Sequence, residues 1–435
     1  MPVPLPRLAA VAALGSLLAL ALGGPIVQTL VMVNALVAAV AVIDWVRSVP
    51  VDRLEVGREA PAIIPVGGEA TIGWTVRNLA GRATAVGVAD HLPPSLGVES
   101  RRAWLTVPAA GRVRTATGAH PTRRGRFAVG PVTLRVPGPW KLAARQSDVE
   151  LPGVVRVYPA FSSRREAELR IERARLLEVG LRSARGRGGG TDFESLREYQ
   201  PDDDYRRIDW AATARAGKPI TRLYRAERNQ TVIILVDVGR LMAGKVAGVP
   251  RLEHAIDAAM ALTTVATRLG DRTGLVAFDR VVRAIVPPSA RRGQVAAITE
   301  GLHDLHPVLA ESDYRGAFAN TLARFRRRAL LVVLTDLAEE AAAESLLPAL
   351  PLVARDHLVV VAAVRDPVVV SWSTRPPTTA GEAYRQAAAL DALASRARLR
   401  RKLVALGATV VDERPGRLAG TLADVYLDVK ATGRL

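Results

Sequence analysis

The 435-residue chain contains no cysteine. That excludes disulfides, thiolate metal ligands and cysteine nucleophiles together, and it fits a reducing compartment without requiring one. Aromatic residues are scarce at 4%, so the stacking platforms that grip single-stranded nucleic acid have little to be built from. Acids are outnumbered, 42 Asp and Glu against 60 Lys and Arg, giving a formal net charge of +18. Such a balance favours anionic partners: nucleic acid, acidic proteins or the lipid of the inner leaflet. The arginines are scattered and form no zinc-finger or helix-turn-helix pattern, which argues against nucleic acid. There is no G-x-S-x-G elbow, no H-E-x-x-H and no G-K-[ST] phosphate loop. His303 and His306 lie close together but lack the third ligand a zinc site needs. No catalytic constellation emerges, and the expectation is a protein that is not an enzyme.

What is present begins with a run from Leu8 to Ile43 without a charged side chain, punctuated by Gly23-Gly24-Pro25. At about 1.5 Å per residue, one unbroken helix would overshoot a bilayer core of about 30 Å. The spacing therefore predicts, within residues 1–50, a transmembrane hairpin with helices at about 8–24 and 26–43. Arg7 precedes the first span, and Arg47, Arg53 and Arg58 follow the second. Positive flanks around an uncharged turn place both flanks in the cytoplasm, for two spans in the inner membrane. The alternative is a signal peptide ending near Gly23, which leaves the second apolar run unexplained.

Residues 51–160 alternate in short runs such as Ala70–Val76, Ala85–Val88 and Val132–Val136, broken by Gly and Pro. They read as a small β-sandwich. Within them, Arg123-Arg124-Gly125-Arg126-Phe127 looks like a basic hairpin entry, either touching lipid phosphate or forming a solvated sheet edge. Residues 161–190 read as a charged connector. Ser163–Leu181 makes an amphipathic helix carrying Leu169, Leu176 and Leu177, with Glu166 and Arg170 four apart. An Arg/Gly loop follows.

Residues 191–435 hold the longest patterned stretch. Asp202, Asp203 and Asp204 could ligate a hard cation such as Mg²⁺. They could equally form a turn started by Pro201, pairing with Arg206, Arg207 or Arg215; three consecutive acids point in different directions, which favours the turn. Asp209 is placed to cap a short helix opening at Trp210, whose ring is expected to pack. Beyond it, strands at 232–236, 273–278, 281–286, 330–334, 358–364 and 409–411 are interleaved with helices at 252–269, about 290–304 and 314–327, and 381–406. That order predicts a mostly parallel, doubly wound α/β sheet. Ligands of such sheets bind beyond the strands' carboxyl ends, where Asp237, Asp336 and Asp366 fall.

The stretch FESLREYQPDDDYRRIDWAATARAGKPITRLYRAER, Phe193 onward, resembles the signature of a bacterial family known as domain of unknown function fifty-eight. That family is similar to the von Willebrand factor A fold and is often encoded beside MoxR-type AAA+ ATPases. The resemblance covers nearly the whole chain and implies a von Willebrand factor A-like α/β domain. It makes Asp202, Asp203, Asp204, Arg206 and Arg207 signature residues, with Asp209, Trp210 and Arg215, in a region suited to protein interaction. Von Willebrand A domains hold a divalent metal through an Asp-x-Ser-x-Ser loop, a distant Thr and a distant Asp. Here the loop reads Asp237-Val238-Gly239-Arg240-Leu241. Both loop hydroxyls are lost, Ser312 is a weak stand-in for the Thr, and a degenerate site of Asp237 and Asp336 remains. Asp237 is then expected to pair with Arg240 or to hold a turn. No cofactor is expected, with Mg²⁺ as the alternative. The resemblance implies a membrane-anchored adaptor working with a MoxR-like AAA+ ATPase in protein assembly or maturation, its basic surface adding affinity for anionic inner-leaflet lipid. The alternatives are a metal-dependent hydrolase using the aspartates and a basic nucleic-acid-binding protein.

Overall fold

A computed structural model describes residues 1–21, 25–184, 192–200, 205–225 and 230–432. The chain divides into two units, residues 1–160 and 161–435.

In the first unit, strands β1 (Pro2–Pro4), β2 (Leu54–Glu59), β3 (Ile63–Pro65), β4 (Ala70–Asn78), β5 (Thr84–Asp90), β6 (Arg102–Val107), β7 (Arg112–Ala119), β8 (Gly125–Val129), β9 (Val132–Pro137), β10 (Ala143–Val149) and β11 (Gly153–Tyr158) build three sheets. Their orders are β1-β10-β9-β5-β6, β2-β4-β7 and β3-β11-β8. Alternation does what the sequence predicts: Val132, Leu134 and Val136 of β9 are buried and their neighbours are not. These side chains join Trp74, Val88, Phe127 and Val155 in one apolar core shared by all three sheets. Inside it, Asp90 accepts from Trp74 Nε1 (2.6 Å) and from the Arg58 guanidinium (2.8 and 2.5 Å), so the buried charge is paired and hydrogen-bonded. Arg124, expected on a solvated edge, is buried.

Between β1 and β2 stand helices α1 (Pro6–Ala21) and α2 (Ile26–Val46), which pack on each other. Among the described residues, one helical segment is long and apolar enough to cross a membrane. This is the α2 segment Ile26–Arg53 near the N-terminus, with a mean hydropathy of 2.4. The α1 helix is shorter, 16 residues. The strand before it was not foreseen. β1 pairs antiparallel with the outer edge of β10, Pro2 opposite Arg145, and the Met1 ammonium donates to the Gln146 carbonyl at 2.7 Å. A sheet edge tolerates Pro2 and Pro4, which have no N–H to give a second neighbour.

The second unit contains α3 (Arg164–Ala184), β12 (Asp192–Glu198), α4 (Trp210–Ala216), β13 (Ile220–Arg225), β14 (Thr231–Asp237), β15 (Lys245–Val246), β16 (Val249–Pro250), α5 (Arg251–Arg268), β17 (Arg272–Phe278), β18 (Val282–Ser289), α6 (Gln294–His303), α7 (Tyr314–Arg324), β19 (Leu330–Leu334), α8 (Glu339–Ala341), α9 (Leu347–Ala354), β20 (Leu358–Val364), α10 (Pro367–Thr374), α11 (Ala380–Ala405), β21 (Thr409–Glu413) and α12 (Leu418–Ala431). Six strands form one sheet in the order β18-β17-β14-β19-β20-β21, parallel except for β18 at the edge. The central strand β14 is buried on both faces. Val232, Ile234 and Val236 meet α5 and α12, while Ile233 and Leu235 meet α7, α9 and α11. This is a mixed α/β sheet covered on both sides.

Where a charged connector was expected from residue 161, α3 packs Ala167 and Ile171 into the second unit's core, and Leu169 faces outward. The anticipated Glu166–Arg170 pair forms at 3.4 Å, and Arg170 also reaches Asp424 of α12 at 2.8 Å. Gly420 on α12 permits this, because a Cβ there would overlap the Arg170 guanidinium.

Candidate functional site

The sheet order reverses between β14 and β19, and such a reversal opens a crevice at the strands' carboxyl ends. Asp237 closes β14 there with 0% exposure. Its Oδ1 accepts from the Gly239 N–H (2.8 Å) and the Ser312 hydroxyl (2.5 Å). Its Oδ2 lies 2.8 Å from the Tyr314 phenol and 2.7 Å from the Thr335 hydroxyl, which are themselves 2.7 Å apart. Burial, and then the charge of Asp237, pushes the Tyr314 phenol well above its usual value, so it stays protonated and can donate. The Gly239 position explains one departure from the metal-loop pattern. A Cβ there would collide with Ser312 Oγ, so the hydroxyl missing from the loop is supplied from across the crevice.

Asp336, just past β19, faces cations. Arg396 of α11 donates to its Oδ1 at 2.8 Å, and Arg251 Nε stands 3.4 Å from Oδ2, an ion-pair separation. The same Arg396 forks onto Asp412 at 2.9 to 3.1 Å and donates to the Val364 carbonyl at 3.0 Å. Burial alone would lower the Arg396 pKa; Asp336 and Asp412 more than offset it and raise it. The guanidinium thus links the ends of β19, β20 and β21.

These residues do not fit a divalent cation. A hard cation of this kind wants about six oxygen ligands, yet both Asp237 oxygens already face internal donors and Asp336 faces two guanidinium groups. Each guanidinium would repel an incoming ion by roughly several kcal/mol in a partly buried setting. Among the described residues, no group of three or more His, Asp or Glu could hold a metal. Of the two expected roles of Asp237, holding a turn is found. Pairing with Arg240 is not, since that side chain goes to Glu311 at 2.5 Å. Asp366 lies outside the site as the cap of α10, accepting from the Val368 N–H at 2.8 Å. Sequence reasoning missed Tyr314, Arg251, Arg396 and Asp412. Thr335 was visible only as the neighbour of Asp336.

The signature stretch forms a separate small feature. β12 and β13 pair with each other in a two-stranded sheet, with α4 between them in the chain. Asp209 caps α4 as expected, accepting from the Ala212 N–H at 3.0 Å, and it also meets Arg222 at 2.8 Å. These two contacts, the backbone one first, hold its carboxyl below the usual range. Arg215 turns back onto the Ala211 carbonyl. The expectation that the Trp210 ring packs is overturned: it is 71% exposed, and Tyr205, with Arg206 over its ring at 5.7 Å, is 66% exposed. Asp202, Asp203 and Asp204 lie outside the described residues, as does the Arg207 side chain.

Residues 195–371 match the family described as Protein of unknown function DUF58. The matched span holds Asp209, Trp210, Asp237, Ser312, Tyr314, Thr335 and Asp336, whereas Arg396 and Asp412 fall after it. Two mycobacterial proteins are similar, Uncharacterized protein Rv1480 of Mycobacterium tuberculosis and Uncharacterized protein Mb1516 of Mycobacterium bovis. Each is 28% identical over 151 residues, 34% of this chain and 48% of the relative. The chain thus spans about half the length of the curated relatives it matches. Among solved structures, the CARDB domain of a Pyrococcus furiosus protein, crystallised with di-metal ions, is 19% identical over 24% of this chain and 86% of that domain, at a TM-score of 0.17.

Proposed function

We propose that this protein is a membrane-anchored, non-enzymatic scaffold whose α/β unit is a von Willebrand factor A-like, metal-independent platform for another protein. The observation that carries the reading is a contrast within the matched span. The strand-end carboxylates are spent on internal donors, while Trp210 and Tyr205 stand exposed on the signature stretch. Large exposed aromatics beside arginine are the usual makings of a protein contact. The sheet order supports the von Willebrand-like fold: numbered along the chain, its strands run 3-2-1-4-5-6 with strand 3 antiparallel. The partner we propose is a MoxR-type AAA+ ATPase, in assembly or maturation of a further protein. A hydrolase reading loses its electrophile, because Arg396 stands where a metal would neutralise Asp336.

The pairing of β1 supports a two-span anchor. Because Met1–Pro4 is hydrogen-bonded into the same sheet as β10, the chain enters α1 and leaves α2 on one side. A crossing by α2 would then be the return of one made through α1, and in this reading the pair makes two spans. Arg7 and Arg47 at the near ends put that side, with the sheets, in the cytoplasm.

The test is direct binding between the full chain in detergent and a purified MoxR-type ATPase from the same genome. Trp210→Ala with Tyr205→Ala is expected to weaken binding by about thirtyfold or more. Unchanged affinity in that variant, or no binding by the wild type, would sink the proposal.

A further inference from the structure

The tip of the β9–β10 hairpin, residues 138–142, is built onto the end of α2. Asp44 is fully buried there, and its carboxylate accepts from the backbone N–H groups of Trp140 (2.8 Å), Leu142 (2.8 Å) and Ala143 (3.0 Å). Gly138 allows the approach, since any Cβ would overlap that carboxylate. Leu142 and Ala143 pack with Ala41, and Leu8, Val40 and Trp45 close around them. The tip, the first turn of α1 and the last turns of α2 therefore form one rigid base, at the level where the apolar run gives way to charge.

What this base leaves outside is specific. Trp140 is 45% exposed, with the Arg47 guanidinium 5.5 Å over its ring. Lys141 is exposed beside it in a left-handed turn (φ 59°). Arg82 donates to the Arg47 carbonyl, Arg7 is exposed at the start of α1, and Arg145 stacks on Trp45 at 4.9 Å. Of the nearby acids, Asp44 is committed to backbone donors and Asp52 lies in the turn after α2. An indole with a guanidinium over its ring and a lysine beside it in the chain, near the end of a long apolar helix, has the chemistry of the bilayer's polar boundary, where Trp anchors and Lys or Arg meet phosphate.

We infer that Trp140, Arg47 and Lys141 form a binding site for anionic phospholipid headgroups, clamping the β-rich unit against the membrane surface. The inference rests on the membrane-anchoring reading above, and it fixes a contact which that reading leaves open. Asp44 acts as a positioning residue by aiming the tip at the lipid.

The experiment reconstitutes the full chain into vesicles carrying either brominated phosphatidylglycerol or brominated phosphatidylcholine, and reads tryptophan quenching. The share of emission due to Trp140 is obtained by difference from Trp140→Phe. The expected result is that brominated phosphatidylglycerol quenches this share at least about threefold more strongly, given a several-fold enrichment of anionic lipid for each basic group at the surface. Arg47→Gln with Lys141→Asn should bring the two lipids level while quenching by phosphatidylcholine persists; asparagine is chosen because it tolerates the left-handed backbone. If the protein resists carbonate extraction but Trp140 is quenched by neither lipid, or by both equally, this inference is overturned and the anchor stands. Extraction by carbonate would overturn the anchor and the inference with it.

Discussion

At the residue scale, the decisive side chain is Arg396, which donates to Asp336 and Asp412 together. Asp237 and Asp336 were legible in the sequence because each ends an apolar strand. Arg396 was not, because it is one of many arginines along a 26-residue helix, and nothing local marks it as the one that turns inward. Arg396→Met would leave Asp336 and Asp412 buried without their shared partner, at a cost of about 3–5 kcal/mol. Arg396→Lys should restore only part, since a single ammonium cannot make the planar fork that spans two carboxylates. Denaturant unfolding of the full chain in detergent measures both. In the same assay, saturating Mg²⁺ should leave the wild-type midpoint where it is, and a clear upward shift would show that the strand ends do accept a metal.

At the scale of elements, the six strands of the second unit's main sheet lie where the apolar runs placed them, whereas the short pairs β12–β13 and β15–β16 were not anticipated. The helices differ more, and for identifiable reasons. Pro348 and Pro351 interrupt the run that becomes α9, and Pro351 lies inside the helix, so the sequence pattern assigned no helix there. The strand β1 is hidden because two of its three residues are proline. One consequence of the missed α8 is testable. Glu339 at its start accepts from Lys402 (2.9 Å), Ser395 (2.9 Å) and Arg398 (3.0 Å) of α11. These bonds, the Lys402 one foremost, lower its carboxyl from 4.5 to about 2. A carboxyl depressed on folding stabilises above its unfolded pKa and loses that contribution as the pH falls through its folded one. The clasp should therefore act fully above about 4.5 and weaken progressively toward about 2. Unfolding measured against pH should show the wild type ahead of Glu339→Gln near neutrality, with the two converging across that window. Parallel curves would mean the clasp contributes nothing.

At the scale of the whole molecule, the sequence conveyed the order of parts, with apolar helices first, then alternating strands, then a doubly wound sheet. It could not convey that the first three residues after Met1 belong to the β-rich unit, because that pairing spans about the whole length of the unit and leaves no local pattern. That pairing bears on the proposed anchor: with Pro2–Pro4 paired to β10, a crossing by α2 would have to be matched by one through α1. The absence of cysteine makes the consequence clean to measure, since any introduced thiol is the only one. A cysteine at Asp52, exposed after α2, should react with an impermeant maleimide only in inverted membrane vesicles. A cysteine at Pro25, just before α2, should react only in right-side-out cells. A cysteine at Met1 is not needed, because a short tag placed before it should follow the behaviour of position 52. If the tag and position 52 instead report opposite sides, α1 does not return, and β1 cannot be paired with β10 in the membrane-bound protein.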